Sequence, residues 1–144
     1  MKVLFLGIDG VINTFPNPST VGDFNKKACA QLNRLLEAEN DLKIVISSSW
    51  RVYGLDAVKD ILEHNGISSE AVIGCTGDIK ATIMEEIEDW LDQNTDITTF
   101  VILDNEKNFG NLSPHLVRTN SFTGITARDV KAVSKILNKY NSLH

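Results

Sequence analysis

Three polar clusters in the sequence each close a short apolar run. Asp9 closes the first run, the segment Ser47–Arg51 closes the second, and Asp104 closes the third. Together the clusters contain two acids, several hydroxyl groups and an arginine. Carboxylate oxygens are ligands that Mg²⁺ prefers, hydroxyl and cationic groups bind phosphoryl oxygens, and an acid can protonate a leaving group. These residue types indicate a site for a metal ion and a phosphate, provided that the fold brings the clusters together.

The spacing of apolar residues predicts alternating strands and helices. Five short β-rich runs are predicted to be strands: Val3–Ile8, Leu42–Ser47, Ala71–Ile73, Thr98–Leu103 and Leu116–Val117. Apolar stripes at helical spacing predict four helices, over Ala28–Glu39, Leu55–Leu62 (ended by Gly66), Ile79–Leu91 and, with Thr126 as N-cap, Val130–Leu137. The alternation predicts an α/β protein with a parallel sheet covered on both faces. Ligands of such sheets bind beyond the carboxyl ends of the strands, where the polar clusters lie.

Length and composition predict one globular domain over residues 1–144. The chain is 42% hydrophobic and 23% charged, as is ordinary for a globular protein of this length with one core. The net charge of −5 argues against a general nucleic-acid coat, because such binding requires clustered Lys and Arg. Cys29 and Cys75 lack metal-ligand spacing, which predicts free thiols and a cytoplasmic protein. The N-terminal apolar run is too short for a signal peptide, and no run has membrane-spanning length.

Four segments carry a resemblance to a known family. Val3–Asn13 is similar to motif I of the haloacid dehalogenase (HAD) superfamily, an apolar strand followed by Asp-x-Asp-Gly-Val, with Gly7 in place of the first Asp. Ile44–Arg51 resembles motif II and Val101–Asn105 resembles motif IV. Together with Glu86–Leu91, which reads Glu-Ile-x-x-Trp-Leu, they resemble the small HAD domains of Swiss Army Knife RNA-repair proteins. The resemblance implies a three-layer α/β/α Rossmann-like (HAD-like) fold that is capless.

The resemblance also implies Mg²⁺ as cofactor and assigns roles around it. Asp9 falls at the position of the general acid/base, whose main-chain carbonyl also faces the metal. Asp104 falls at the main metal-ligand position of motif IV, and Asn105 stands where related domains often have a second acid. Gly7 stands at the position of the nucleophile that attacks phosphorus.

Four further residues are implied in phosphate binding. Ser47 falls at the motif II position, and Ser48 is a neighbouring alternative because the run of three serines leaves the register open. The motif III cation is assigned to Lys80, with Arg51 able to share its role.

Some of these side chains also have simpler structural interpretations. Arg51 is equally compatible with an ion pair to Asp9 or Asp104 and with a substrate contact. Trp50 is interpreted as a packing residue. The acids of the third predicted helix are interpreted as a polar, solvent-facing side: Glu85, Glu86, Glu88 and Asp89.

Gly7 decides how the resemblance bears on function. Glycine has no group that can attack phosphorus, and loss of a nucleophile typically lowers the rate by several orders of magnitude. We therefore predict a HAD-like phosphohydrolase domain for a phosphomonoester that is inactive as written, through natural divergence in preference to a substitution introduced to trap a ligand. The alternative is a noncatalytic phosphate-binding or protein-interaction domain. The resemblance implies a nucleic-acid end as one candidate for the phosphorylated partner, and we expect no membrane partner.

Overall fold

The computed structural model describes residues 1–77 and 82–139 and confirms the predicted order of strands and helices. The strands are β1 (Lys2–Leu6), β2 (Leu42–Ile46), β3 (Val72–Cys75), β4 (Thr99–Asp104) and β5 (Leu116–Arg118). The α-helices are α1 (Lys26–Ala38), α2 (Leu55–His64), α3 (Ile83–Gln93) and α4 (Ala127–Leu137). Short 3₁₀ helices span Ser49–Tyr53 and Gly110–His115. The predicted start of the third helix at Ile79 lies outside the described residues.

The strands form one parallel sheet in the order β3-β2-β1-β4-β5. In the centre, β1 pairs with β2 through Leu6 and Ile46, and with β4 through Leu6 and Leu103. Strands β2 and β3 therefore lie on one side of β1, and strands β4 and β5 lie on the other. The carboxyl end of β1 lies at this reversal, which is where ligands bind in open α/β sheets.

Helices cover both faces of the sheet, so the predicted three-layer α/β fold is confirmed. On one face Leu4 and Leu6 pack with Leu32 of α1, Val58 of α2 and Val133 of α4. The opposite face carries a smaller core beneath α3, formed by Val3, Phe5, Val45, Ile87, Ile102 and Phe109. Successive strand residues point to opposite faces, so two apolar layers require the nearly unbroken apolar strands of this sequence.

Local capping fixes the helix boundaries that the sequence predicted. The Thr126 hydroxyl accepts a hydrogen bond from the Asp129 N–H at 3.4 Å, and the Asp129 carboxylate accepts one from the Thr126 N–H at 2.9 Å. This reciprocal pair satisfies two N–H groups that a helix start leaves open. At the end of α2, Gly66 has φ of +75°, a conformation that favours glycine and ends the helix.

The first strand ends two residues earlier than predicted because the chain turns sharply after Gly7. The Ile8 carbonyl accepts hydrogen bonds at 3.0 Å from the N–H groups of Val11, Ile12 and Asn13. Gly10 in this turn has φ of +79°, which a side chain would strain. Asp9 therefore lies in a tight turn above the sheet edge, and the whole connection to α1 is a loop without an inserted cap domain.

Candidate functional site

Four residues form a row across the carboxyl edge of the sheet, in the order Thr76, Ser47, Gly7 and Asp104. The Gly7 N–H donates to the Leu103 carbonyl at 2.9 Å and the Ser47 N–H donates to the Leu6 carbonyl at 3.0 Å. The Thr76 N–H continues the same ladder to β2. By strand alternation all four residues face the α3 side of the sheet. The fold thus brings the ends of β3, β2, β1 and β4 into one line.

Gly7 occupies the centre of this row, and the Asp104 carboxylate leans against it. The φ angle of Gly7 is not in the left-handed region. A Cβ atom placed on Gly7 would lie 2.8 Å from Asp104 Oδ2 and 3.2 Å from the Leu103 carbonyl oxygen. The backbone accepts a side chain here, but only if the Asp104 carboxylate moves aside.

Asp104 is a buried acid, with 4% of its surface exposed. Its Oδ1 accepts a hydrogen bond from the Glu106 N–H at 2.9 Å. Burial raises its pKa to about 6, because the charged form loses hydration that this hydrogen bond only partly replaces. Within residues 1–77 and 82–139 no Lys, Arg or His forms a salt bridge with this carboxylate. A cation bound beside Asp104 would therefore stabilise its ionised form.

Asp9 is held by the segment that follows β2. Its Oδ1 accepts hydrogen bonds from Asn13 Nδ2 at 2.8 Å and from Trp50 Nε1 at 3.0 Å. The Trp50 ring is buried and packs edge-on against Phe24, with 5.4 Å between ring centroids. The packing interpretation of Trp50 is confirmed, and its indole N–H has a second role that the sequence did not reveal. Asp9 and the β2 end thus form one unit.

The two candidate serines differ in how their hydroxyls are used. Ser48 caps the 3₁₀ helix, since its Oγ accepts a hydrogen bond from the Trp50 N–H at 3.2 Å. Ser47 has 1% of its surface exposed, and its Oγ has no hydrogen-bond partner among the described residues. Ser47 is therefore the one of the pair whose hydroxyl remains available to a ligand.

Arg51 pairs with Glu86, so one of its two interpretations, an ion pair with Asp9 or Asp104, is wrong. The guanidinium Nη2 donates to the Glu86 carboxylate, and Nη1 donates to the Ser48 carbonyl at 2.9 Å. Glu86 has 3% of its surface exposed, so its interpretation as part of a polar, solvent-facing side is also wrong. The physical reason is its place next to Ile87 on the α3 side that faces the sheet, where a buried carboxylate requires a cation.

The other three acids that were predicted to face solvent on α3 do so wholly or in part. Glu85 and Glu88 are exposed, and Asp89 is half-buried. Glu86 differs from them because it belongs to the Glu-Ile-x-x-Trp-Leu motif, whose Trp90 packs edge-on against Phe5 at 5.4 Å between ring centroids. The ion pair therefore joins this motif to the Ser47–Arg51 segment.

Asn105 lies under the turn that carries Asp9. Its side chain packs so closely against Gly10 that a Cβ on Gly10 would lie 2.8 Å from the Asn105 Cβ. Asn105 Nδ2 donates to Ser121 Oγ at 3.0 Å. Its predicted role as a metal ligand stays a prediction. Lys80, the predicted motif III cation, lies outside the described residues.

Comparison with known proteins agrees with this geometry. Residues 3–130 match the family model described as the HAD domain in Swiss Army Knife RNA repair proteins. The chain belongs to this family. None of the curated proteins that were compared matches it.

Two further observations concern this HAD domain as a whole. Within the described residues no helix is long and apolar enough to cross a membrane. The same residues contain no group of three or more His, Cys, Asp or Glu side chains that could hold a metal ion. Any metal at this edge would therefore depend on Asp104, main-chain or amide oxygens, and water.

Thr76 belongs to the row at the carboxyl edge of the sheet, and the sequence analysis missed it. The predicted third strand ended at Ile73, whereas β3 continues to Cys75 after a register shift against β2. Gly74 and Cys75 are not typical strand residues, so the apolar pattern stopped too early. One sequence signal was available, because Thr76 is the first polar residue after the strand and ligands bind beyond the carboxyl ends of parallel strands.

Proposed function

We propose that this HAD domain binds the phosphate of a phosphomonoester at the carboxyl edge of its sheet and does not hydrolyse it. The row Ser47–Gly7–Asp104 supports this proposal. It keeps the phosphate-binding and metal-binding positions of the family on either side of a residue that cannot attack phosphorus. A covalent aspartyl-phosphate cannot form on glycine. The site thus corresponds to a Mg²⁺-dependent phosphatase site without its nucleophile.

The oxygen atoms at this edge fit a Mg²⁺ ion. They carry less negative charge than a family site in which both motif I acids are present. Asp104 is a buried carboxylate without a cationic partner among the described residues, and Mg²⁺ takes oxygen ligands. The Asp9 carbonyl and the Asn105 amide oxygen would complete the protein's share. Mg²⁺ bound here would neutralise charge on phosphoryl oxygens. Because the carboxylate of position 7 is absent, we propose that Mg²⁺ binds weakly alone and more tightly together with phosphate.

The chain's own residues divide the remaining work. The Ser47 hydroxyl donates to a phosphoryl oxygen. Asp9, held by Trp50 and Asn13, would be the group that gives a proton to a leaving group, but no bond to phosphorus is broken without a nucleophile. Binding without turnover is therefore the function that these residues support.

Gly7 also changes the electrostatics of the pocket in favour of binding. An aspartate at position 7 would add a second carboxylate beside Asp104, and a phosphate dianion would face both. Like charges this close repel strongly where water is scarce. Glycine at position 7 carries no charge, so this repulsion is absent and we expect the pocket to bind a phosphate dianion more readily.

The partner that we propose is a phosphorylated end of a larger molecule. The connection between β1 and α1 is a loop, so no cap domain is inserted at that point. The family's description as RNA repair proteins supports a nucleic-acid end as the first candidate. The net charge of −5 favours recognition of the end over recognition of a long phosphate backbone.

Calorimetric titration tests the proposal directly. Inorganic phosphate is titrated into the protein with and without Mg²⁺, and Mg²⁺ is titrated with and without phosphate. We expect each to strengthen the binding of the other, and we expect Ser47→Ala and Asp104→Asn to weaken the ternary complex. Absence of phosphate binding at millimolar concentrations in the presence of Mg²⁺ would overturn the proposal. So would tight Mg²⁺ binding that survives Asp104→Asn.

A further inference from the structure

Three buried polar atoms on the segments that end β2 and β3 have no hydrogen-bond partner within the part of the chain that the structure describes. They are Ser47 Oγ, Thr76 Oγ1 and Arg51 Nε. The fourth such atom, Gln31 Oε1, belongs to α1 on the other face of the sheet. The three atoms on the β2 and β3 ends can each donate a hydrogen bond. A buried donor without an acceptor is unfavourable for the fold, so three such donors call for an explanation.

The three donors belong to one cluster. Thr76 and Ser47 are neighbours on adjacent strands, about 4.8 Å apart, and by alternation they face the same side of the sheet. The Arg51 guanidinium donates to the carbonyl of Ser48. Ser48 directly follows Ser47 in the chain, so this contact places the arginine beside the strand end that carries Ser47.

We propose that Thr76 is a second hydroxyl ligand of the phosphate, which it binds together with Ser47 and Arg51 Nε. This inference rests on the proposed function and extends it to the β3 side of the site. A phosphate dianion presents oxygen atoms that accept hydrogen bonds in several directions, so it matches a cluster that contains only donors. Arg51 is suited to this role because Glu86 and the Ser48 carbonyl hold its two Nη atoms, and its Nε has no partner within the described residues.

The cluster is closed to solvent, and this has a kinetic consequence. Each of the three atoms is covered by neighbouring side chains. A phosphate reaches them only after those side chains move, so association is slower than simple diffusion would allow. The alternative occupant of such a cluster is a buried water, which would satisfy the same donors as part of the fold.

The decisive variant is Thr76→Val, which removes the hydroxyl and keeps the branched shape. We expect the affinity for inorganic phosphate, measured by calorimetry with Mg²⁺, to fall about tenfold, as for loss of one hydrogen bond to a charged group. Thr76→Ser, which keeps a hydroxyl at this position, should retain most of the phosphate affinity of the unmodified protein. The melting temperature of Thr76→Val stays equal or rises, because a methyl group replaces a hydroxyl without a partner. Thr99→Val, the same change at the opposite edge of the sheet, leaves phosphate affinity unchanged.

The outcomes separate this inference from the proposed function. If Ser47→Ala weakens phosphate binding and Thr76→Val does not, the phosphate site exists and Thr76 is not part of it. If Thr76→Val lowers the melting temperature and leaves affinity unchanged, the hydroxyl binds a structural water and the inference is overturned. If the unmodified protein binds no phosphate, both the inference and the proposed function fail.

Discussion

The two sides of the candidate site are built differently. On the β2 side, Trp50 donates a hydrogen bond to Asp9 and Ser48 caps the 3₁₀ helix. Arg51 on the same side forms a salt bridge with buried Glu86. On the β1–β4 side, the site consists of a glycine and of Asp104, a buried carboxylate that forms no salt bridge within the described residues. The first side stabilises the protein as well as shaping the site. The second side makes no such stabilising contact between side chains among the described residues, and under the proposed function its acid binds a cation.

Under the proposed function, this difference explains how a fold can keep a site while losing its chemistry. Changes on the β2 side would break contacts that join the sheet to α3, so they would destabilise the domain. A carboxylate at position 7 would instead lie against Asp104, where two like charges repel. Its replacement by glycine relieves that repulsion. Catalytic groups are commonly unfavourable for stability in this way, and they are the groups that can be lost without unfolding.

The largest expected effect comes from adding a nucleophile to the β1–β4 side. Gly7→Asp should produce Mg²⁺-dependent turnover of an aryl phosphate at least about a thousandfold above the Gly7 chain, since the nucleophile is the missing part of the catalytic unit. The new Cβ requires Asp104 to rotate, because it would lie 2.8 Å from Oδ2. Steady-state release of the aryl alcohol measures the gain.

Two controls make this comparison strict. Gly7→Asn adds a side chain of the same shape without charge, and Gly7→Asp/Asp9→Asn keeps the nucleophile and removes the acid. Both should lack turnover. Turnover by the Gly7 chain that persists after Asp9→Asn would place the active site elsewhere, and no gain from Gly7→Asp would favour divergence into a purely binding role.

The next largest effect concerns the ion pair on the β2 side. Arg51→Met leaves the Glu86 carboxylate buried without its cation, and we expect the free energy of unfolding to fall by about 3–4 kcal/mol. Urea denaturation measures the loss. Glu88→Gln, at an exposed position on the same helix, should change stability by less than about 0.5 kcal/mol. A loss from Arg51→Met as small as this would mean that the β2 side is not a stabilising unit.

A third effect is a pH dependence on the β1–β4 side. The folded state raises the pKa of Asp104 from 3.8 to about 6, so the folded protein holds this proton more tightly than the unfolded chain does. Stability from this group is therefore complete below pH about 4 and is lost as the pH rises through about 6. Asp104→Asn should be more stable than the parent protein at pH 7 by about 3 kcal/mol, with the difference becoming small near pH 4.

Urea unfolding at a series of pH values measures this difference, and exposed Asp92→Asn serves as the control without such a trend. Saturating Mg²⁺ with phosphate should stabilise the parent protein at pH 7 and leave Asp104→Asn nearly unchanged. If the two proteins show parallel pH curves, burial of Asp104 does not have the electrostatic effect described here.

The smallest expected effect tests the hydrogen bond by which the β2 side holds Asp9. Trp50→Phe keeps the ring that packs on Phe24 and removes the donor to Asp9, so we expect a loss of about 1 kcal/mol in stability. A double-mutant cycle with Asp9→Asn isolates the interaction. Additive changes in the cycle would show that the indole and the carboxylate do not interact, and Asp9 would then be held by Asn13 alone.

Much of the site follows from local sequence. Apolar runs that stop at Asp9, Ser47 and Asp104 determine strands that end at one edge, because parallel strands joined by helices point the same way. Gly7 is likewise visible in the sequence as a missing carboxylate. Capping by Thr126 and the helix end at Gly66 depend on nearest neighbours, and these too were predicted. Local chemistry and strand direction are enough for such features.

Only the tertiary structure decided the partners of the charged and hydroxyl groups. Arg51 lies 35 positions from Glu86 and 41 positions separate Trp50 from Asp9, so neither pairing has a local signal. Thr76 joined the site because a register shift extends β3 beyond its apolar run. Pairings of this kind depend on how α3 packs on the sheet and on which strands are neighbours. Sequence spacing specifies the elements, and the packing between them selects which polar groups meet.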